Sequence, residues 1–182
     1  MIVLDGKQKL VAVWRTSLGK RSDFVRIEKD FYPTPHMAVL PLLPHLKANT
    51  KYIEPCCGKN DLINHLSLYN HECVFASDTE LDVMTTKYDT DAAQCFITNP
   101  PWKRKILHPT IENLKKQAPT WLLFDAGWMQ TKQAIPLLPY CLKIVCVGRV
   151  KWIPGSEHIS MDDCCWYLFD NVKTKTEFIG HI

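Results

Sequence analysis

Short apolar runs alternate along the chain with stretches in which apolar residues recur every three or four positions. Runs of the first kind predict strands at 51–54, 73–77, 95–98, 121–124, 143–147 and 164–169. Stretches of the second kind predict helices at 61–69, with Leu62, Ile63, Leu66 and Tyr69 on one face, at 106–117, with Leu107, Ile111, Leu114 and Ala118 at core spacing, and at 130–138. Ahead of these, Thr34-Pro35 reads as a helix N-cap followed by a first-turn proline. Pro41 and Pro44 forbid a regular helix through Leu46, so a short or broken one is expected. Residues 10–14 and 24–27 are further strand candidates around a turn at Gly19-Lys20. The chain therefore divides into an N-terminal extension at 1–30, a candidate β-hairpin, and one domain at 31–182.

Strands that alternate with helices predict an α/β sandwich around a mostly parallel sheet. Such sheets bind ligands at the carboxyl ends of their strands, near the point where strand order reverses. The polar and small residues from Glu54 to Gly58, Asp78, and Asn99 to Trp102 all fall at predicted strand ends.

Length and composition narrow the class. A chain of 182 residues fits one domain with a real core. Its longest apolar runs are strand-sized, so no membrane span is expected. No basic segment followed by an apolar stretch and a cleavage site opens the sequence, which predicts a cytoplasmic protein, of a bacterium or a host cell. The eight cysteines include no Cys-x-x-Cys pair. Pro55-Cys56 matches the opening of the zinc-deaminase pattern, but Lys59 stands where its second cysteine belongs and no His-x-Glu precedes it. We expect reduced, mostly buried cysteines and no metal. The net charge of +3 permits nucleic-acid binding, and its distribution matters more than its sum. Lys7, Lys9, Arg15, Lys20, Arg21 and Arg26 crowd the first thirty residues, and Lys103-Arg104-Lys105 directly follows a proline-rich corner. A solvated face explains the N-terminal set equally well.

Three constellations carry candidate chemistry. In the first, a strand breaks at Glu54-Pro55-Cys56-Cys57-Gly58 and a helix opens after Lys59-Asn60, a turn in which backbone amides can approach a ligand closely. Asn60 occupies the place of a second glycine, and asparagine tolerates left-handed backbone angles best among the other residues. Taken alone, an ordinary strand-to-helix turn accounts for the segment as well. In the second, Asp78 closes the next strand about 20 residues past that loop, where a carboxylate can accept from both hydroxyls of a ribose. The third is Phe96-Ile97-Thr98-Asn99-Pro100-Pro101-Trp102. Two prolines fix the backbone and leave no amide hydrogen, so carbonyls and the Asn99 oxygen can converge on one amine. Trp102 offers a flat surface on which a base can stack.

The order of Phe31-Tyr32-Pro33-Thr34-Pro35, Glu54-Pro55-Cys56-Cys57-Gly58 and Asn99-Pro100-Pro101-Trp102 resembles the class I DNA adenine-N6 methyltransferases, and is most like the small phage and prophage type. The stretch from Gly148 to Ser156, with Trp166-Tyr167-Leu168-Phe169 after it, resembles that group too, so the likeness covers roughly residues 31–170. It implies a Rossmann-like sandwich, mostly parallel with an antiparallel C-terminal strand, and S-adenosyl-L-methionine as cofactor. On this resemblance Tyr32, Thr34, Pro35, Glu54, Pro55 and Gly58 hold the methionine part, Asp78 the ribose and Asp89 (with Asp91 as rival) the cofactor adenine. Asn99, Pro100, Pro101 and Trp102 form the target-amine site. Lys103, Arg104, Lys151 and Trp152 are the expected substrate contacts. The partner is DNA, single-stranded DNA and RNA remaining open, with the target base flipped out between Trp102 and Trp152. The departures are Asn60, a compressed segment at 79–94 in which a helix or strand is expected to be missing, and no room for a separate target-recognition domain. Methylation of RNA or another amine or amide remains an alternative, as does a cofactor- or nucleic-acid-binding protein without turnover.

Overall fold

A computed structural model describes residues 33–152 and 163–181. The proposed hairpin at 1–30, Tyr32, and 153–156 of the later motif lie outside them. The first described element is α1 (His36–Val39), which tightens into a 3₁₀ turn at Leu40–His45, where Pro41 and Pro44 withdraw two amide donors. Pro35, not Thr34, occupies the N-cap position and no side chain caps it. Thr34 is committed elsewhere, as described below.

Strands β1 (Lys51–Glu54), β2 (Glu72–Ala76), β3 (Cys95–Thr98) and β4 (Thr120–Asp125) follow, with α2 (Asp61–Ser67) after β1 and α3 (Arg104–Leu114) after β3. Then come β5 (Cys141–Arg149), β6 (Asp163–Phe169) and β7 (Glu177–Ile179). The sheet order is β2-β1-β3-β4-β6-β5-β7. Strands β1 to β4 are mutually parallel, β6 runs antiparallel to both β4 and β5, and β7 is parallel to β5. The mostly parallel α/β architecture with an antiparallel late strand is thus present.

Alternation along each strand divides the core into two layers. Tyr52, Ile97, Trp121, Leu123 and Trp166 face α1 and α2, packing with Ala38, Val39, Leu42, Leu62 and Leu66. Ile53, Phe96, Leu122, Phe124 and Tyr167 face the other way, against Leu107, Ile111 and Leu114 of α3 and Trp128. Strands buried on both faces read as continuous apolar runs, which is why β3 and β4 stand out in the sequence. The buried Trp166 indole N–H donates to Ala38 O at 2.7 Å and ties α1 to the sheet.

Three expectations need correction. The stretch 130–138 is not a helix: 3₁₀ turns occupy Ala126–Gln130, Lys132–Ala134 and Leu138–Tyr140. Pro136 lacks the donor that a regular helix there would use, and Pro139 stops any continuation. Strand β6 is not the last, because β7 adds beyond β5. Helix α3 starts at Arg104 and carries Pro109 inside it. The compressed segment, by contrast, behaves as expected: between Ala76 and Cys95 there is neither helix nor strand, and among the described residues β2 is the sheet's edge.

Candidate active site

The carboxyl ends of β1, β2, β3 and β4 lie side by side and gather most of the singled-out residues. At the end of β1, Glu54 is buried, and its Oε1 accepts from Cys56 N at 2.9 Å. Its Oε2 is also buried and has no hydrogen-bond partner. Burial pushes the Glu54 carboxyl up to about 8, against weaker opposing help from Thr98 and the Cys56 amide. The Thr98 hydroxyl faces the same carboxyl, yet neither it nor Oε2 completes a well-formed bond. A carboxyl with a spare, desolvated oxygen fits a cationic or donor group better than it fits a packing role.

The loop after Glu54 is built on left-handed backbone. Gly58 has φ of 52° and Asn60 has φ of 66°. Asparagine takes at this position the left-handed angle that a glycine would also adopt. Cross-links at the strand ends hold it: Cys57 N donates to Ser77 O at 2.9 Å and Ser77 N to Glu54 O at 3.0 Å. Burial raises the Cys56 and Cys57 thiols, so neither offers a ready thiolate at neutral pH. Asp78 follows directly, half-buried, its own amide donating to Glu80 Oε1 at 2.8 Å.

Asn99 is held at both ends of its amide. Its Nδ2 donates to Thr34 Oγ1 at 3.2 Å, and its Oδ1 accepts from the Trp102 indole at 3.3 Å. The same indole N–H also donates to Leu123 O on β4, at 3.1 Å. An indole can only donate, so it dictates which end of the amide is oxygen. Thr34, Asn99 and Trp102 therefore form one connected unit, with Pro100 buried and Pro101 half-buried between them. Trp102 meets Trp152 edge to face, centroids 5.5 Å apart at 87°. The two rings touch each other and make a single aromatic corner; they are not two parallel walls with a gap between them.

The basic residues divide. Lys103 and Lys151 are exposed, whereas Arg104 pairs with Asp125 at 2.8 Å. Asp125 Oδ1 in turn accepts from Gly127 N. Arg104 thus anchors the exit of the proline corner to the end of β4, a role that sequence inspection missed because its partner lies 21 residues away. Asp89 is not brought to the cluster. It is exposed, accepts from Asp91 N at 3.1 Å, and follows Tyr88, whose amide donates to Gln117 beyond the end of α3. Gln94, a few residues on, bonds Lys51 at the start of β1. The Tyr88 ring, by contrast, packs edge to face on Phe96 of β3, with centroids 5.3 Å apart.

Among the described residues no group of three His, Cys, Asp or Glu is arranged to hold a metal, and no helix is long and apolar enough to cross a membrane. No protein-family model and no curated protein matches the chain in sequence. Solved structures do match its fold. A class I S-adenosylmethionine-dependent methyltransferase from Listeria monocytogenes aligns with a TM-score of 0.51 at 8% identity, over 87% of this chain and 68% of its own. The 23S rRNA methyltransferase ErmE aligns at 0.52 and 9%, over 79% and 71%. A protein assigned as a type I restriction-enzyme modification subunit, from Vibrio vulnificus YJ016, aligns at 0.50 and 12%, over 82% and 47%. The chain spans about half to two thirds of the length of several structures that it matches. The fold is that of the class I methyltransferases.

Proposed function

We propose that the chain is an S-adenosylmethionine-dependent methyltransferase that modifies the exocyclic N6 amine of adenine in DNA. One observation carries the reading: the Asn99 amide, oriented by Thr34 and Trp102, stands at the strand end next to the one that presents the buried, half-unpartnered Glu54 carboxyl. The likeness of fold to nucleic-acid methyltransferases supports it.

The residues present fit the cofactor. The Glu54 Oε2 atom suits the methionine ammonium, with Thr34, Pro35, Pro55, Gly58 and, by resemblance, Tyr32 around that end. Asp78 suits the ribose hydroxyls. When bound, the cofactor supplies a methyl group made electrophilic by its sulfonium. The chain's own part is orientation. Asn99 Oδ1 and the Pro100 carbonyl accept from the target amine and leave its lone pair directed at the methyl, and the amine proton passes to solvent. Trp102 and Trp152 give the extruded base an aromatic corner to stack on, and Lys103 and Lys151 meet the phosphates. Holding the two reactants in line accounts for on the order of 7–11 kcal/mol of such a barrier.

The test is mass analysis of nucleosides from DNA and RNA of cells that express the protein, with Asn99→Ala as control. A methyladenine peak in DNA, absent with the variant, is the expected result. A peak in RNA alone would transfer the reading to RNA, and a peak that persists in the variant would sink the assignment of Asn99.

A further inference from the structure

A second recess adjoins the Asn99 corner. It is lined by Thr34, Pro35, Asp61, His65, Lys151 and Trp152. Two of these belong to both places: Thr34 accepts from Asn99, and Trp152 packs on Trp102. The recess therefore borders the amine site.

Its walls differ from those of the Asn99 corner. Trp152 and Pro35 are half-buried apolar surfaces, Lys151 is an exposed cation, and Asp61 and His65 stand one helical turn apart on α2. The Asp61 carboxylate has no hydrogen-bond or ion-pair partner among the described residues. His65 packs edge-on to His36 at 5.1 Å, and His36 in turn stacks on Tyr69 with 10° between the ring planes. Burial first, and His36 second, lower the His65 imidazole, against weaker opposing pulls from Asp61 and the Thr34 backbone. An aromatic wall, a cation at the rim and an acceptor-only group inside make up the chemistry of a nucleotide site.

We propose that this recess binds the nucleotide next to the target adenine on the same strand, and that Asp61 selects a guanine there. A carboxylate only accepts, and the Watson–Crick edge of an unpaired guanine offers two adjacent donors, N1–H and N2–H₂. Thymine and adenine cannot match it. Trp152 packs on the base or its sugar, and Lys151 meets the phosphate between the two nucleotides. The inference rests on the methyltransferase reading for its substrate. It adds a preference for a flanking base and, because that edge must be unpaired, for single-stranded or opened DNA.

The test is binding of the full chain to fluorescently labelled single-stranded oligodeoxynucleotides that carry one adenine, flanked in turn by each of the four bases. Guanine on one side of the adenine should bind about tenfold tighter than thymine. Asp61→Asn should bring the four within about twofold, with S-adenosylmethionine affinity unchanged by calorimetry. Lys151→Ala should weaken all four by a similar factor and leave their ranking alone. Equal binding of all four by the wild type overturns the proposal. So does a loss of S-adenosylmethionine affinity in Asp61→Asn with the base preference intact, which would give the recess to the cofactor. Binding and turnover separate the two ideas: a guanine preference without methylation sinks the enzyme reading alone, and methylation without a preference sinks the recess alone.

Discussion

Replacing Glu54 by Gln isolates the buried carboxyl, because the two side chains share size and shape. Burial holds the Glu54 carboxyl up to about 8, whereas the same group in the unfolded chain titrates near its ordinary 4.5. Between those values the folded chain keeps a proton that the unfolded chain has lost. This contribution to stability is therefore greatest at low pH and declines as pH rises from about 4.5 through about 8. At roughly 1.4 kcal/mol per unit, a gap of about 3.5 units amounts to ~5 kcal/mol as an upper bound. Glu54→Gln removes that dependence. It should match the wild type near pH 5 and exceed it by about 2–4 kcal/mol near pH 8, in urea unfolding with no ligand. The same carboxyl must ionise to meet a methionine ammonium, so wild-type affinity for S-adenosylmethionine should rise several-fold per unit between pH 5.5 and 7.5, with release of about one proton. Calorimetry in two buffers of different ionisation enthalpy counts that proton. Affinity that ignores pH, with no proton released and a variant that binds as well as the wild type, would refute the role given to Glu54.

Other expectations follow from the same geometry. Trp102→Phe keeps an aromatic ring, though a smaller one, and removes the N–H shared by Asn99 Oδ1 and Leu123 O, so at least about 1–2 kcal/mol of stability should go, with kcat falling more than KM rises. Intact turnover would show that the indole does not orient the amide. Asp78→Ala should weaken S-adenosylmethionine binding at least about tenfold in a calorimetric titration while leaving the fold's melting temperature within a few degrees. At Asn60, whose φ is 66°, Gly should be neutral or slightly stabilising, whereas Ala should lose about 1 kcal/mol in urea unfolding.

The elements that the sequence displays best are those buried on both faces. β1 and β3 have the expected ends, because continuous apolar runs have no other explanation at that length. The turn after β1 is legible too, since Asn60 takes the left-handed angles its residue type permits. What escapes is of two kinds. β7 is three residues long with Glu177 and Phe178 exposed, so it offers no burial pattern, and the turns at 126–140 borrow helical spacing without helical donors. Contacts between distant residues escape as well. The Asn99–Thr34 bond spans 65 residues and the Arg104–Asp125 pair 21, and no spacing rule anticipates either. The run from 77 to 94, which carries Asp89 and Asp91, has no period that would say which end of the sheet each acid reaches.

The bond between Thr34 and Asn99 also bears on how two substrates would sense one another. Thr34 belongs to the segment expected around the methionine end, and Asn99 is the group expected to accept from the base. A shift of the Thr34 segment on loading with methyl donor would reach the Asn99 amide through one hydrogen bond. Each ligand would then alter the affinity of the other by the same factor, as reciprocity demands. Such a link makes the chain hold each ligand more or less firmly according to whether the other is in place, and the size of that factor is the same whichever arrives first.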